Sequence, residues 1–349
     1  GRLSERDPAA TAREVAADVH RSVLDRVAKV RAGDEGAPGL STGFPALDRL
    51  VGRLQFGTKT TLGAPTGVGK TGLALSIALN VARAGHGVAY ATLEIPREEL
   101  LERAVASVSR IPCDSLFAGD VRDDQQAALA DAVGEIARLP IVIDDAARHS
   151  LATLRGLVRR SEAKLAVPVR LLVVDYLQLV RVQGRRGANE NDLIGEASRG
   201  LLAIAKELGV AVLDTSQFNR DYRNRANKAP QITDLRGSGQ IEQDARAIIL
   251  LHRTSAEEDE PQTIDASVPK ARGGGRIGTT GFVLRRSTAT WAGRAADDEV
   301  APIESEPIGR SGRRTPPARR RPIPRPFNEA AERDGEDLGG FAQDGFGGI

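Results

Sequence analysis

The chain has 349 residues, 40% of them hydrophobic, and a formal net charge of +2. That length accommodates one large α/β domain with extensions, or two small domains. No apolar run approaches the roughly 18 residues of a membrane span, no signal peptide opens the chain, and the lone Cys113 excludes an intramolecular disulfide, so a cytoplasmic protein in a reducing compartment is expected.

The sequence holds no Met, even at position 1, and is expected to begin after a processed, truncated or engineered N-terminus. Val15, Val19, Val23, Leu24 and Val27 recur at helical spacing and predict an amphipathic helix over 10–30. "RAGDEGAPG" follows as a linker, so that 1–39 reads as a helix plus linker. From about residue 40 short apolar strands alternate with helical stretches. The strands are expected at 59–62, 87–93, 141–143, 170–174, 210–215 and 247–251. This alternation predicts an α/β fold with a largely parallel central sheet flanked by helices. Residues 263–268 and 279–284 read as added antiparallel edge strands, closing a domain over 40–293.

The first strand leads into "APTGVGKT", residues Ala64, Pro65, Thr66, Gly67, Val68, Gly69, Lys70 and Thr71, and then into an apolar helix. A phosphate-binding loop needs inward backbone N–H groups, a helix N-terminus behind them and a flexible cation. Gly67 and Gly69 permit the curvature, Lys70 reaches the β- and γ-phosphates of ATP, and the Thr71 hydroxyl ligates Mg²⁺. Ala64 stands where the plain motif has its first glycine. A strand before, a helix after and the GKT ending together outweigh the simpler reading of a glycine-rich turn.

Two strand ends add acids. "RLLVVDYLQLV" places Asp175 where a carboxylate orders the Mg²⁺ water shell, and "GVAYATLEIP" places Glu94 where a general base polarises the attacking water. Either acid alone is more often a cap or a surface charge; their joint occurrence behind a phosphate loop favours catalysis. Beyond residue 294 the chain turns Arg/Pro-rich ("GRRTPPARRRPIPRP") and then acidic, and 294–349 is expected to be disordered. Arginine supplies 42 of the 49 basic residues, a bias that GC-rich coding accounts for.

With these residues in place, 40–291 resembles the C-terminal, RecA-like motor domain of DnaB-type replicative helicases. The matching stretches, in order, are "APTGVGKTGLALSIALN", "ATLEIPREELLERAVASVSRI", "LLVVDYLQLV", "DTSQFNR", "DLRGSGQIEQDARAIILLHR" and "VPKARGGGRIGTTGF". The resemblance implies a hexameric, ATP- and Mg²⁺-dependent motor on single-stranded DNA, with a helicase loader or replisome proteins as further partners. By the same resemblance Glu94 is the catalytic glutamate and Gln217 the γ-phosphate sensor. Lys270 and Arg272 are a finger pair reaching a neighbouring subunit's nucleotide, and Arg236, Gly237 and Gly239 lie in the pore loop that grips the strand. The family's helical N-terminal domain has no counterpart here; the helix at 10–30 resembles its linker helix. An oligomeric RecA-like ATPase that binds or remodels DNA or protein without unwinding is the alternative.

Overall fold

A computed structural model describes residues 11–31, 38–182, 188–219, 222 and 229–294. Among the described residues nine strands form one sheet: β1 Lys59–Ala64, β2 Gly87–Thr92, β3 Ile141–Asp144, β4 Val169–Asp175, β5 Ala211–Gln217, β6 Ala247–Arg253, β7 Gln262–Ala271, β8 Gly278–Arg285 and β9 Thr290–Gly293. Their order is β3-β2-β4-β5-β1-β6-β7-β8-β9. The strands from β3 to β6 run parallel, and β7, β8 and β9 continue antiparallel.

β1 and β2 are buried at every position, as expected of strands covered on both faces. One face packs under α2 (Pro45–Val51), α3 (Lys70–Arg83), α4 (Arg97–Ser109) and α6 (Gln126–Ala137), through side chains such as Leu47, Leu73, Leu100 and Ile136. The other packs under α7 (Leu151–Leu165), α8 (Glu190–Leu208) and α9 (Ser238–Asp244), through Leu154, Leu201 and Ile241. The short α5 (Cys113–Ala118) follows α4. α1 spans Ala12–Arg31, and its Val15, Val19, Val23, Leu24 and Val27 remain exposed.

Every expected strand is present, most of them longer than its apolar run. β9 is the addition: "TWAG" has neither the apolar run that marks the equally short β3 nor an alternation by which to read it. β7 runs on to Ala271, which places Lys270 inside the sheet and Arg272 just beyond it. Most of the expected linker, at 32–37, and the Arg/Pro-rich and acidic tail from 295 onward lie outside the described residues.

Lys59 opens β1 with a fully buried ammonium 2.9 Å from Asp214 Oδ1 and 2.8 Å from Thr61 Oγ1. Burial outweighs the neighbouring Lys59 and holds the Asp214 carboxyl above its ordinary range. Asp214→Ala leaves Lys59 buried without its counter-charge and is expected to destabilise the domain by about 3–5 kcal/mol in urea unfolding. The apolar double replacement Lys59→Met with Asp214→Leu should recover most of that loss, because both desolvated charges go together. A single replacement costing only about 1 kcal/mol, as an exposed pair would, contradicts this account.

Candidate active site

The phosphate loop is the turn between β1 and α3. Gly67 and Gly69 adopt φ of +82° and +99°, the left-handed region that glycine enters freely. A Cβ on Gly67 would meet nothing within 4 Å, so that side of the loop is open to a ligand. A Cβ on Gly69 would come within 2.7 Å of the Trp291 ring, and one on Gly72 within 2.8 Å of its Nε1. Trp291, from β8's hairpin partner β9, therefore seals the back of the loop. Ala64 needs no glycine: it is a buried strand residue, paired with Gln217 of β5.

Lys70 begins α3 and places its Nζ 2.9 Å from Glu94 Oε2 and 5.0 Å from the centroid of the Tyr176 ring. Glu94 sits in a turn two residues past β2. Thr92 Oγ1 donates to the Ile95 carbonyl at 2.7 Å, and the Leu93 N–H donates to the Asp175 carbonyl at 2.7 Å. The two candidate acids are thus held in register by the backbone of adjacent strands, where Thr92 pairs with Asp175. The Asp175 carboxylate is fully buried and accepts from Thr215 Oγ1 and from the Tyr90 hydroxyl. Burial, and then Asp175 itself, push the Tyr90 phenol well above its ordinary value, so it stays protonated and donates.

A cavity of about 460 Å³ opens beside the loop, and Lys70, Thr71, Glu94, Arg103, Arg286 and Trp291 are among the residues that line it. The donor set suits a nucleotide with Mg²⁺. Thr71 lines the cavity, whereas the Asp175 carboxylate is fully buried outside its lining; a hydroxyl and one carboxylate are the sparse protein ligation that Mg²⁺ takes when phosphates and waters supply the rest. Among the described residues there is no cluster of three or more His, Cys, Asp or Glu of the kind that cages a metal unaided.

Gln217 ends β5 next to the loop. Its carbonyl accepts the Arg236 N–H at 3.3 Å, while the Phe218 N–H donates to the Ala64 carbonyl at 3.3 Å. Arg236 Nη1 in turn lies 2.8 Å from Glu190 Oε1 at the start of α8. Gly237 has φ +70°, and a Cβ there would fall 2.6 Å from Ile194 Cγ2, whereas one on Gly239 would meet nothing within 4 Å. Arg236, Gly237, Gly239 and Glu190 border a second cavity of about 510 Å³.

Lys270 and Arg272 lie elsewhere. Ala271 pairs with Ala247, which pairs with Thr60, so both basic residues sit at the end of the sheet where β1 begins. The phosphate loop is the length of β1 away, roughly 15–20 Å. Arg272 is exposed, but the Lys270 Nζ is buried without a hydrogen-bond partner. Burial and then Arg272 lower its pKa. Arg103, Arg286, Trp291, Glu190 and the Thr215–Tyr90 bracket on Asp175 are contributions that sequence reasoning missed. Arg103, Thr215 and Tyr90 lie inside stretches quoted for the resemblance or for Glu94, but nothing in those stretches singles them out.

A phosphate loop and two acids along the carboxyl edge of a parallel sheet, with later strands running antiparallel at its side, is how RecA-like P-loop NTPases are built, and this chain is built as one. It belongs to the DnaB-like helicase C-terminal domain family, whose pattern it matches over residues 39–292. It is 35% identical over 252 residues to the replicative DNA helicase DnaB of Leifsonia xyli subsp. xyli, covering 71% of this chain and 54% of that protein. It is 31% identical over 261 residues to the replicative DNA helicase DnaB of Geobacillus stearothermophilus, covering 74% and 57%. The chain thus spans about half the length of the curated relatives it matches. Among solved structures, one described as an ATPase domain superposes with a TM-score of 0.73 at 27% identity, over 82% of this chain and 99% of that one. A DnaB-like replicative helicase described with its interactions with primase gives 0.70 at 27% identity, over 82% and 67%.

Proposed function

We propose that this chain is the ATP- and Mg²⁺-dependent motor of a replicative DNA helicase, acting as a homo-hexameric ring that translocates on single-stranded DNA and unwinds duplex. Bound ATP·Mg²⁺ supplies the scissile phosphoryl group and the charge that neutralises it. Lys70 turns from Glu94 to the β- and γ-phosphates, which frees Glu94 to take the proton of the attacking water. Thr71 and Asp175 would hold the Mg²⁺ and order its waters. Arg272 of a neighbouring subunit supplies the second cation at the γ-phosphate, and Lys270 reinforces the positive potential behind it.

The observation that carries this reading is the backbone bond between Gln217 and Arg236. The strand end beside the phosphate loop and the loop proposed to hold DNA are one hydrogen bond apart, so a change sensed at the γ-phosphate is relayed directly to the DNA grip. A helicase loader or other replisome proteins are the further partners proposed, and the cytoplasm is the proposed site of action. No helix among the described residues is long and apolar enough to cross a membrane.

The test is ATP-driven separation of a forked duplex, run beside DNA-stimulated ATPase and a mass measurement with nucleotide. Strand separation by a hexamer supports the reading; DNA-stimulated ATPase without separation selects the non-unwinding alternative. Arg236→Ala should weaken single-strand binding and lower the slope of log affinity against log salt by about 1 per contacting subunit, leaving DNA-free ATPase intact. Glu190→Gln should tighten binding, since a DNA phosphate competes with that carboxylate for Arg236. Collapse of DNA-free ATPase in Arg236→Ala with DNA binding unchanged would make Arg236 a structural residue.

A further inference from the structure

The turn that presents Arg272, residues 272–277, is rich in glycine, and a loop of that composition left to itself would place the guanidinium loosely. In the folded chain its start, where Arg272 stands, is fastened to Arg246, which precedes β6. The Arg246 carbonyl accepts the Arg272 N–H at 3.1 Å, and the Arg246 guanidinium donates through Nη2 to the Gly273 carbonyl. Arg246 thus grips the chain on both sides of the Cα that carries the Arg272 side chain. Its own N–H donates to the carbonyl of Lys59 at 2.8 Å, and Lys59 is fully buried at the start of β1. The grip is therefore anchored in the centre of the sheet.

The loop is shaped around that guanidinium. Gly273 has φ +60°, and its missing Cβ would land on the Arg246 guanidinium group. On the far side Gly275 closes on the Leu50 carbonyl, and the Arg276 N–H donates to the same carbonyl at 2.7 Å. As a plain stabiliser Arg246 is poorly used, because its Nε is buried without a hydrogen-bond partner, and a buried donor left unmade counts against stability. What the arrangement does supply is a fixed position for the next-door arginine.

We propose that Arg246 is a positioning residue for the reaction at the neighbouring subunit, holding the 272–277 turn so that Arg272 reaches the γ-phosphate in one geometry. The proposal rests on Arg272 acting as the trans cation. Such a cation contributes roughly 10³–10⁵ in rate, and a displacement on the order of 1 Å costs about 10²-fold.

The test uses the assembled protein with single-stranded DNA and ATP. Arg246→Met keeps the aliphatic stem and removes the donor. It should lower kcat on the order of 10²-fold with the affinity for a fluorescent ATP analogue and the oligomeric mass unchanged. In an Arg272→Ala background it should cost nothing further, because the group it positions is gone; a residue that only stabilises the domain would lower activity in both backgrounds alike. Gly273→Ala, which drives a methyl into the same guanidinium, should reproduce the kcat loss and keeps the test decisive if Arg246→Met folds poorly. Wild-type kcat in both variants, or an equal further loss in the double variant, overturns the proposal. If Arg272→Ala alone leaves kcat unchanged, the trans-cation reading itself fails, and that outcome is distinct from a failure of Arg246 alone.

Discussion

Glu94→Gln is expected to lower ATP turnover by about 10²–10⁴-fold, the range that general-base catalysis contributes, while ATP binding is retained or tightened. An amide cannot accept the water's proton. Binding should not suffer, because Glu94 and Lys70 now hold each other at 2.9 Å and the incoming γ-phosphate competes with that carboxylate for the Lys70 ammonium. Gln gives up the charge and so lowers the competition. The turn that carries position 94 is set by Thr92, Leu93 and Asp175, none of which the replacement touches. Single-turnover ATP cleavage together with titration of a fluorescent ATP analogue separates the two effects. Near wild-type cleavage would sink the assignment of Glu94, and loss of binding would show that its pair with Lys70 is what keeps the loop formed.

The second large effect concerns mixtures. Arg272→Ala and Glu94→Gln chains, each nearly inactive alone, should regain ATPase when combined. Arg272 cannot serve the phosphate loop of its own chain, since β1 separates them. In the head-to-tail ring proposed above, the target proposed for it is the next subunit's γ-phosphate. If subunits assort at random in an equal mixture, about one interface in four joins an intact Glu94 to an intact Arg272. Recovery approaching that share of wild-type ATPase is expected once subunit exchange has been verified by mass. No recovery under those conditions means that Arg272 does not act in trans.

Much of this geometry was legible in the sequence, and what was not has physical causes. The parallel strands announce themselves because burial on both faces demands unbroken apolar runs, and Gly67 and Gly69 because positive φ demands glycine. Asp175 and Glu94 are readable as acids that follow such runs. Part of the lining of the cavity beside the loop is not readable. Arg103 and Arg286 belong to an ordinary helix and an ordinary hairpin, and only the fold brings them to the phosphate loop. The pairing of Lys59 with Asp214 is hidden for the same reason, since 155 positions separate them along the chain. Lys270 and Arg272 look equivalent two positions apart, yet β7 ends between them, burying one ammonium and exposing the other guanidinium. Gly273 looks like slack and is a contact surface.

Trp291 gives the molecule its own optical probe. It is the one tryptophan in the chain, 7% exposed, with its indole against Gly69 and Gly72 and its ring edge-to-face with Phe282 at 5.7 Å. Emission excited at the red edge of protein absorption therefore originates from a single chromophore on the wall of the cavity beside the loop. If a triphosphate binds at the loop as proposed, the packing and polarity around that indole are expected to change, and stopped-flow emission of the unlabelled protein, with one reporter per chain, would follow it.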